Sequence, residues 1–184
     1  MRIMNLYTIT GMSSSGKTSL VNTLLDKYPD KFQRIKTATT RRRRHNETKD
    51  AYYFMNEDDF NSDFSMVLKS AFAGHKYGVP LKHPVDPKKD CLIILDKDGA
   101  MLSKAIGWPG NPDVFNVYID VNLDKKRAFK KKNWRRYKSD LKAGLDIREG
   151  YDCVIRNDET LDSLADNFMN YVTSVDERQK IGLI

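Results

Sequence analysis

Gly11-Met12-Ser13-Ser14-Ser15-Gly16-Lys17-Thr18 is the stretch on which the fold reading turns. It satisfies Gly-x-x-x-x-Gly-Lys-Thr, the Walker A pattern. Glycines let the backbone turn tightly, so that the N–H groups of Ser13, Ser14, Ser15, Lys17, Thr18 and Ser19 converge on a polyphosphate, and the helix that follows adds its positive amino-terminal end. Lys17 is placed for the β- and γ-phosphates and Thr18 for Mg²⁺. The flanks agree. Met4 to Thr10 is a short apolar, β-branched run that reads as a buried strand, and Leu20, Leu24 and Leu25 share one helical face before Pro29 stops the pattern.

Outward from this loop, strands alternate with helices. Phe32 to Thr37 reads as a second strand, and Thr39 to Glu47 as a basic loop. Tyr52 to Met55 is a strand, and Asn56 caps a short helix whose first turn is Glu57-Asp58-Asp59. Ser65 to Val79 suits a hairpin turning at Gly74-His75, which makes Asp50 to about Val79 an inserted β-rich lobe. Cys91 to Asp96, Val114 to Asp120 and Cys153 to Arg156 are further strands. Helices are expected from about Gly99 to Ile106, through the basic segment Leu123 to Gly144, and from Leu161 to Val175. The pattern predicts an α/β fold with a mainly parallel sheet flanked by helices, whose ligands bind beyond the carboxyl ends of the strands. Thr10, Asp96 and Asp120 lie near such ends.

Composition narrows the function. The chain has 184 residues, 40% hydrophobic and 31% charged, which excludes wholesale disorder. It lacks any apolar run long enough for a bilayer and any signal-peptide stretch, so a cytoplasmic protein without a membrane partner is expected. Cys91 and Cys153, with His45, His75 and His83, show no zinc-ligand spacing. The net charge of +7 is local: Lys125 to Ala143 holds ten basic residues against Asp140, and the rest of the chain sums to −2. Such a clustered charge suits a small polyanion at least as well as a nucleic acid, which is the disfavoured partner.

Walker A does not by itself separate switches, motors and small-molecule kinases. No Asn-Lys-x-Asp guanine-reading loop occurs. What does occur is Thr39-Thr40-Arg41-Arg42-Arg43-Arg44-His45-Asn46-Glu47, followed by Tyr52-Tyr53-Phe54. Guanidinium groups match phosphate oxygens bidentately, although an exposed arginine run also suits a solvated face or a nucleic-acid patch.

In this arrangement the chain resembles the guanylate kinase family of P-loop nucleoside monophosphate kinases, whose acceptor signature is Thr-Thr-Arg-x-x-Arg-x-x-Glu followed by Tyr-x-Phe. Gly74-His75-Lys76-Tyr77-Gly78, Leu95-Asp96-Lys97-Asp98 and Val154-Ile155-Arg156-Asn157-Asp158 resemble further family motifs in the same order. The resemblance implies one kinase domain in three parts: a core (about 1–38, 80–122 and 145–184), an acceptor-binding lobe (about 39–79) and a lid (about 123–144). It implies Mg²⁺ with ATP as donor and a nucleoside monophosphate, GMP or dGMP, as acceptor. By position, Arg41, Arg44, Tyr52 and Tyr77 would grip the acceptor phosphate, and Thr37 and Leu68 would face the base. Asp96 and Asp98 would order metal-bound water and the acceptor nucleoside. Arg127 and Arg135 would come from the lid, joining Lys17, Arg41 and Asp96 in catalysis.

Some positions depart from the family pattern. Thr37 stands where Ser is common, Leu68 where a base-reading Glu stands, and Val79 where Ser or Thr stands; the lid is short. Asp59 and Asp63 are the nearest acids that could substitute for the missing Glu. Three other readings therefore stay open on sequence: a P-loop kinase for a different nucleotide or sugar phosphate, a non-catalytic guanylate-kinase-like module, and a nucleic-acid binder using the basic segment. Oligomeric state is not written in these residues.

Overall fold

The central strand β1 (Asn5–Thr10) is buried along its whole length, and its side chains alternate between two apolar layers. Tyr7 and Ile9 face α1 (Lys17–Lys27) and a long carboxyl-terminal helix, α6 (Leu161–Lys180), through Leu20, Leu24, Phe168 and Val172. Leu6 faces the other way, toward Met4, Ile35, Cys91, Ile93 and Trp108. Each fully buried leucine or phenylalanine in such a layer contributes about 1.5–3 kcal/mol. The computed structural model describes residues 3–184 except 46, 48, 50, 64, 83 and 159, and not the side chains at 123 and 125. Asn46 of the acceptor signature, Asp50 at the expected start of the lobe, and His83 lie outside the described residues.

Among the described residues, five parallel strands form the main sheet in the order β2 (Phe32–Arg34), β7 (Asp90–Ile94), β1, β8 (Asp113–Val121), β9 (Cys153–Asn157). Helix α3 (Lys97–Ser103) packs against β1 and β8. It begins two residues earlier than expected, because the Asp96 carboxylate accepts a hydrogen bond from the Gly99 N–H at 2.8 Å and caps it. Helix α6 runs five residues past Val175.

A second sheet holds β3 (Ala38–Thr39), β4 (Tyr53–Phe54), β5 (Met66–Phe72) and β6 (His75–Pro80), in the order β4-β3-β6-β5. The expected strand from Phe32 to Thr37 ends at Arg34, and the second sheet begins only at Ala38. Ile35 still donates to Leu92 of the main sheet at 2.9 Å, and then the chain crosses so that Ala38 pairs with Gly78. Helix α2 (Glu57–Ser62) is capped by Asn56, whose side-chain oxygen accepts from the Asp59 N–H at 2.8 Å. The basic segment is two helices, α4 (Leu123–Lys132) and α5 (Trp134–Lys142), broken at Asn133. No helix among the described residues is long and apolar enough to cross a membrane.

Candidate active site

The loop between β1 and α1 takes its shape from two glycines that nothing larger replaces. A Cβ on Gly11 would stand 2.4 Å from the Ile119 carbonyl oxygen, and one on Gly16 would stand 2.6 Å from Asn157 Nδ2, with both residues at positive φ. Ser14 shares the left-handed region at φ 62°, where a non-glycine residue is uncommon. Asn157, at the end of β9, donates to the Ser15 carbonyl at 2.9 Å and ties the loop to the neighbouring strand. Lys17 Nζ curls back onto the Gly11 and Met12 carbonyls, both at 2.7 Å. Burial pushes its pKa down to about 8, with Asp140 opposing the change and Arg136 adding to it. Thr18 and Ser19 are exposed at the helix start.

The second cationic group is wired locally. The Arg41 guanidinium is 8% exposed and donates to both Glu47 oxygens, at 2.8 and 2.9 Å. The Arg44 N–H donates to the same carboxylate at 2.9 Å. Burial alone would raise the Glu47 carboxyl, but these bonds outweigh it and hold it below the usual range. Arg41 also lies over the rings of Tyr52 (5.4 Å) and Phe54 (5.9 Å), which fixes its fork.

These groups share one opening. A cleft is lined by Gly11, Ser13 and Lys17 on the loop side, and by Thr37, Tyr52, Leu68 and Tyr77 on and beside the second sheet. Asp96 lines it as well, with one carboxylate oxygen on the Gly99 N–H. Arg41, Arg44, Arg135 and Arg136 line an adjoining hollow that shares Tyr77 with the cleft. Asp98 lies exposed on α3, outside both.

Leu68 sits at a bulge in β5, between Val67 and Ser70, with φ 50°. Bulges re-aim side chains beside functional sites. Near it the cleft wall is apolar, with Phe72, Val79 and Leu95, and its hydroxyls are those of Thr37, Ser70 and Tyr52. Asp59 and Asp63 do not replace the missing carboxylate. Asp59 pairs with Asn56 at 2.7 Å, Asp63 with Ser65 at 2.6 Å, and neither lines the cleft.

Of the two arginines singled out in the basic segment, Arg135 lines the cationic hollow and Arg127 does not, and two further residues, Arg136 and Asp140, reach the loop. Arg127 points away, with its side chain 77% exposed and its nearest acid Asp124 at 3.6 Å. Arg135 is exposed at the rim of the cationic hollow. Arg136, one position on, reaches the loop, donating from Nε to Ser13 Oγ at 2.8 Å. Burial lowers its pKa, with Arg44 and Arg41 pushing the same way. Asp140 accepts from both the Ser13 N–H and hydroxyl, each at 2.8 Å. A signal existed for this pair: positions four apart share a helix face, and Asp140 is the one acid among ten bases. Trp134 is not packed beneath the segment but 47% exposed, between Lys130 and Lys138.

A parallel sheet with a glycine-rich loop of Walker A pattern after its central strand, facing a second, smaller sheet, defines a P-loop α/β fold. The sequence model of the guanylate kinase family matches residues 3–173, and the chain belongs to that family. Among curated relatives, the guanylate kinase of Prochlorococcus marinus is 34% identical over 122 residues, which cover 62% of this chain and 61% of that one. That of Chlamydia muridarum is 32% identical over 106 residues, covering 54% and 52%. The chain thus spans about half to three-fifths of the length of these relatives. The crystal structure of guanylate kinase from Anaplasma phagocytophilum shares the fold, with a TM-score of 0.67 at 21% identity over 95% of this chain and 86% of that one.

Proposed function

We propose that this chain is an ATP-dependent nucleoside monophosphate kinase that moves the γ-phosphoryl group of ATP to GMP or dGMP. The observation that carries this reading is the single cleft in which Lys17 and Ser13 face Thr37, Tyr52 and Tyr77, with Arg41, Arg44 and Arg136 at its mouth. One end offers a phosphate loop and the other a guanidinium pair, the arrangement needed to bring two phosphates together in line. It is a cytoplasmic enzyme of nucleotide metabolism in this reading, with the second sheet as its acceptor lobe and α4 and α5 as its lid.

Phosphoryl transfer depends on positioning and charge neutralisation more than on a covalent nucleophile. The loop N–H groups hold the donor, and Lys17 turns from the loop carbonyls to its β- and γ-phosphates. Arg41 and Arg44 orient the acceptor phosphate, with Tyr52 and Tyr77 closing around it. Arg136 bridges the two sites and meets charge as it develops on the transferring group. The Thr18 hydroxyl and the free Asp96 oxygen are hard oxygen donors of the kind Mg²⁺ takes when phosphates and water complete its shell. Bound there, Mg²⁺ neutralises charge across the phosphates.

One observation favours a second reading, a kinase for a base other than guanine. Leu68, Phe72 and Val79 give the cleft an apolar wall, and among the described residues the one carboxylate lining it is Asp96, which caps α3. The test is a panel of GMP, dGMP, AMP, dTMP and dCMP with Mg²⁺-ATP, the diphosphate products being identified directly. Guanine preference in the natural protein supports the first reading. Preference for another base that Leu68→Glu shifts toward guanine, by roughly ten- to a hundred-fold, supports the second. No turnover with any acceptor overturns both.

A further inference from the structure

Asp140 is a fully buried carboxylate that the proposed chemistry leaves without a task. It lies on α5, 127 positions from the loop, and its side chain is 0% exposed. Both of its oxygens are spent on one residue, Ser13, taking the backbone N–H and the hydroxyl at 2.8 Å each. Ser13 Oγ in turn accepts from Arg136 Nε, one helical turn before Asp140. The carboxylate therefore occupies a donor that the loop would turn toward an anion, at the mouth of the cleft that Lys17 lines. It has the charge and the paired oxygens of a phosphate edge.

We propose that Asp140 is an intramolecular competitor of the donor nucleotide, a latch that holds α5 on the phosphate loop until ATP displaces it. This inference rests on reading the loop as the ATP site. A carboxylate and a phosphate oxyanion repel strongly when both are withdrawn from water, so the Ser13 N–H serves one or the other. When a phosphate takes that N–H, Asp140 leaves the loop, and Arg136 on the same helix face is freed from Ser13 to meet the incoming charge. ATP binding and lid movement thus become one equilibrium.

The anchorage of the lid fits a moving helix on fixed ends. Asp120, 2% exposed at the end of β8, holds Lys126 of α4 at 3.1 Å and Arg148, beyond α5, at 2.7 Å. The two ends of the segment are pinned to one buried carboxylate, and Asp140 fastens its middle. Only the middle fastening competes with a substrate.

The experiment measures ATP dissociation constants and hydrogen exchange of the backbone amides of residues 134–142, in the nucleotide-free natural protein, Asp140→Ala and the isosteric Asp140→Asn. If the unlatched state is populated to about one part in ten, removing the latch tightens ATP by about ten-fold. Exchange at α5 should rise in Asp140→Ala before any nucleotide is added. Asp140→Asn, which keeps an acceptor but no charge, should fall between the two and serves alone if the alanine variant does not fold. ATP affinity that is unchanged or weaker in a folded variant overturns the proposal. So does a fall in kcat with an unchanged ATP constant, which would make Asp140 a support of the closed, working lid. Exchange at α5 reads the latch without nucleotide: if no protein binds ATP, the donor reading has failed and the competition with it, whereas ATP binding with α5 undisturbed defeats the latch alone.

Discussion

The two regions proposed to bind phosphate, the loop around Ser13 and the loop around Arg41, each hold an internal carboxylate, and they differ in where that carboxylate comes from. Glu47 serves Arg41 from six positions away in the same loop, with the adjacent rings of Tyr52 and Phe54 against the guanidinium. Asp140 serves Ser13 from 127 positions away, on a separate helix. A local partner keeps a cation in place whether or not the rest of the molecule moves. A distant partner reports on the arrangement of the whole chain. In the proposed reading the acceptor clamp is therefore built as a fixed site and the donor loop as a conditional one.

The strongest way to break this contrast is to remove the loop's own charge. Lys17→Ala should lower kcat by about 10²–10³-fold, because that charge is aimed at the phosphates where the transition state needs it. Circular dichroism should show the fold retained, since the ammonium has no apolar packing role. Turnover left intact in the folded variant would remove the loop from the mechanism.

Arg41→Ala attacks the fixed site. Losing a hydrogen bond to a charged group costs about 1.5–3 kcal/mol, so the acceptor KM should rise by roughly ten- to a hundred-fold with the ATP constant nearly unchanged. If ATP binding collapsed instead, the two sites would have been exchanged.

A smaller effect separates the arginines of the lid. Arg136→Ala should reduce kcat by about ten-fold, since its guanidinium already sits on Ser13. Arg127→Ala should stay within about two-fold, in keeping with its 77% exposed side chain. Equal losses in steady-state kinetics would mean that the lid rearranges enough to bring both arginines to the reaction.

The smallest effect is on stability. With Lys17 depressed to about 8 in the folded protein and near 10.4 when unfolded, the unfolded chain holds a proton between these values that the folded chain has released. Stability must then rise with pH across that window, and the burial cost is present in full below about 8. Thermal melts of the nucleotide-free protein should show the natural chain gaining on Lys17→Met by roughly 4–8 °C as pH climbs from 8 to 10. Parallel melting curves would show that Lys17 is not desolvated.

Short-range patterns carried most of the fold and the fixed half of the site. Alternation along β1, the glycine spacing around Lys17 and the Asn56 cap each act within a few residues, so the linear order contains the whole interaction. The same holds for Arg41 with Glu47. Boundaries were misread where a tertiary partner intervened. Phe32 to Thr37 has one strand propensity throughout, yet the strand stops at Arg34 as the chain crosses to the second sheet, where Ala38 finds Gly78 forty positions on. The long basic stretch carries no glycine or proline to announce its break at Asn133. What only the tertiary structure decided is which lid side chains reach the loop. Arg135 and Arg136 are indistinguishable in charge and type, and one position along a helix rotates a side chain by about 100°. Packing of α5 over the loop turned Arg136 and Asp140 inward together, and that single rotation placed a carboxylate on the N–H of Ser13.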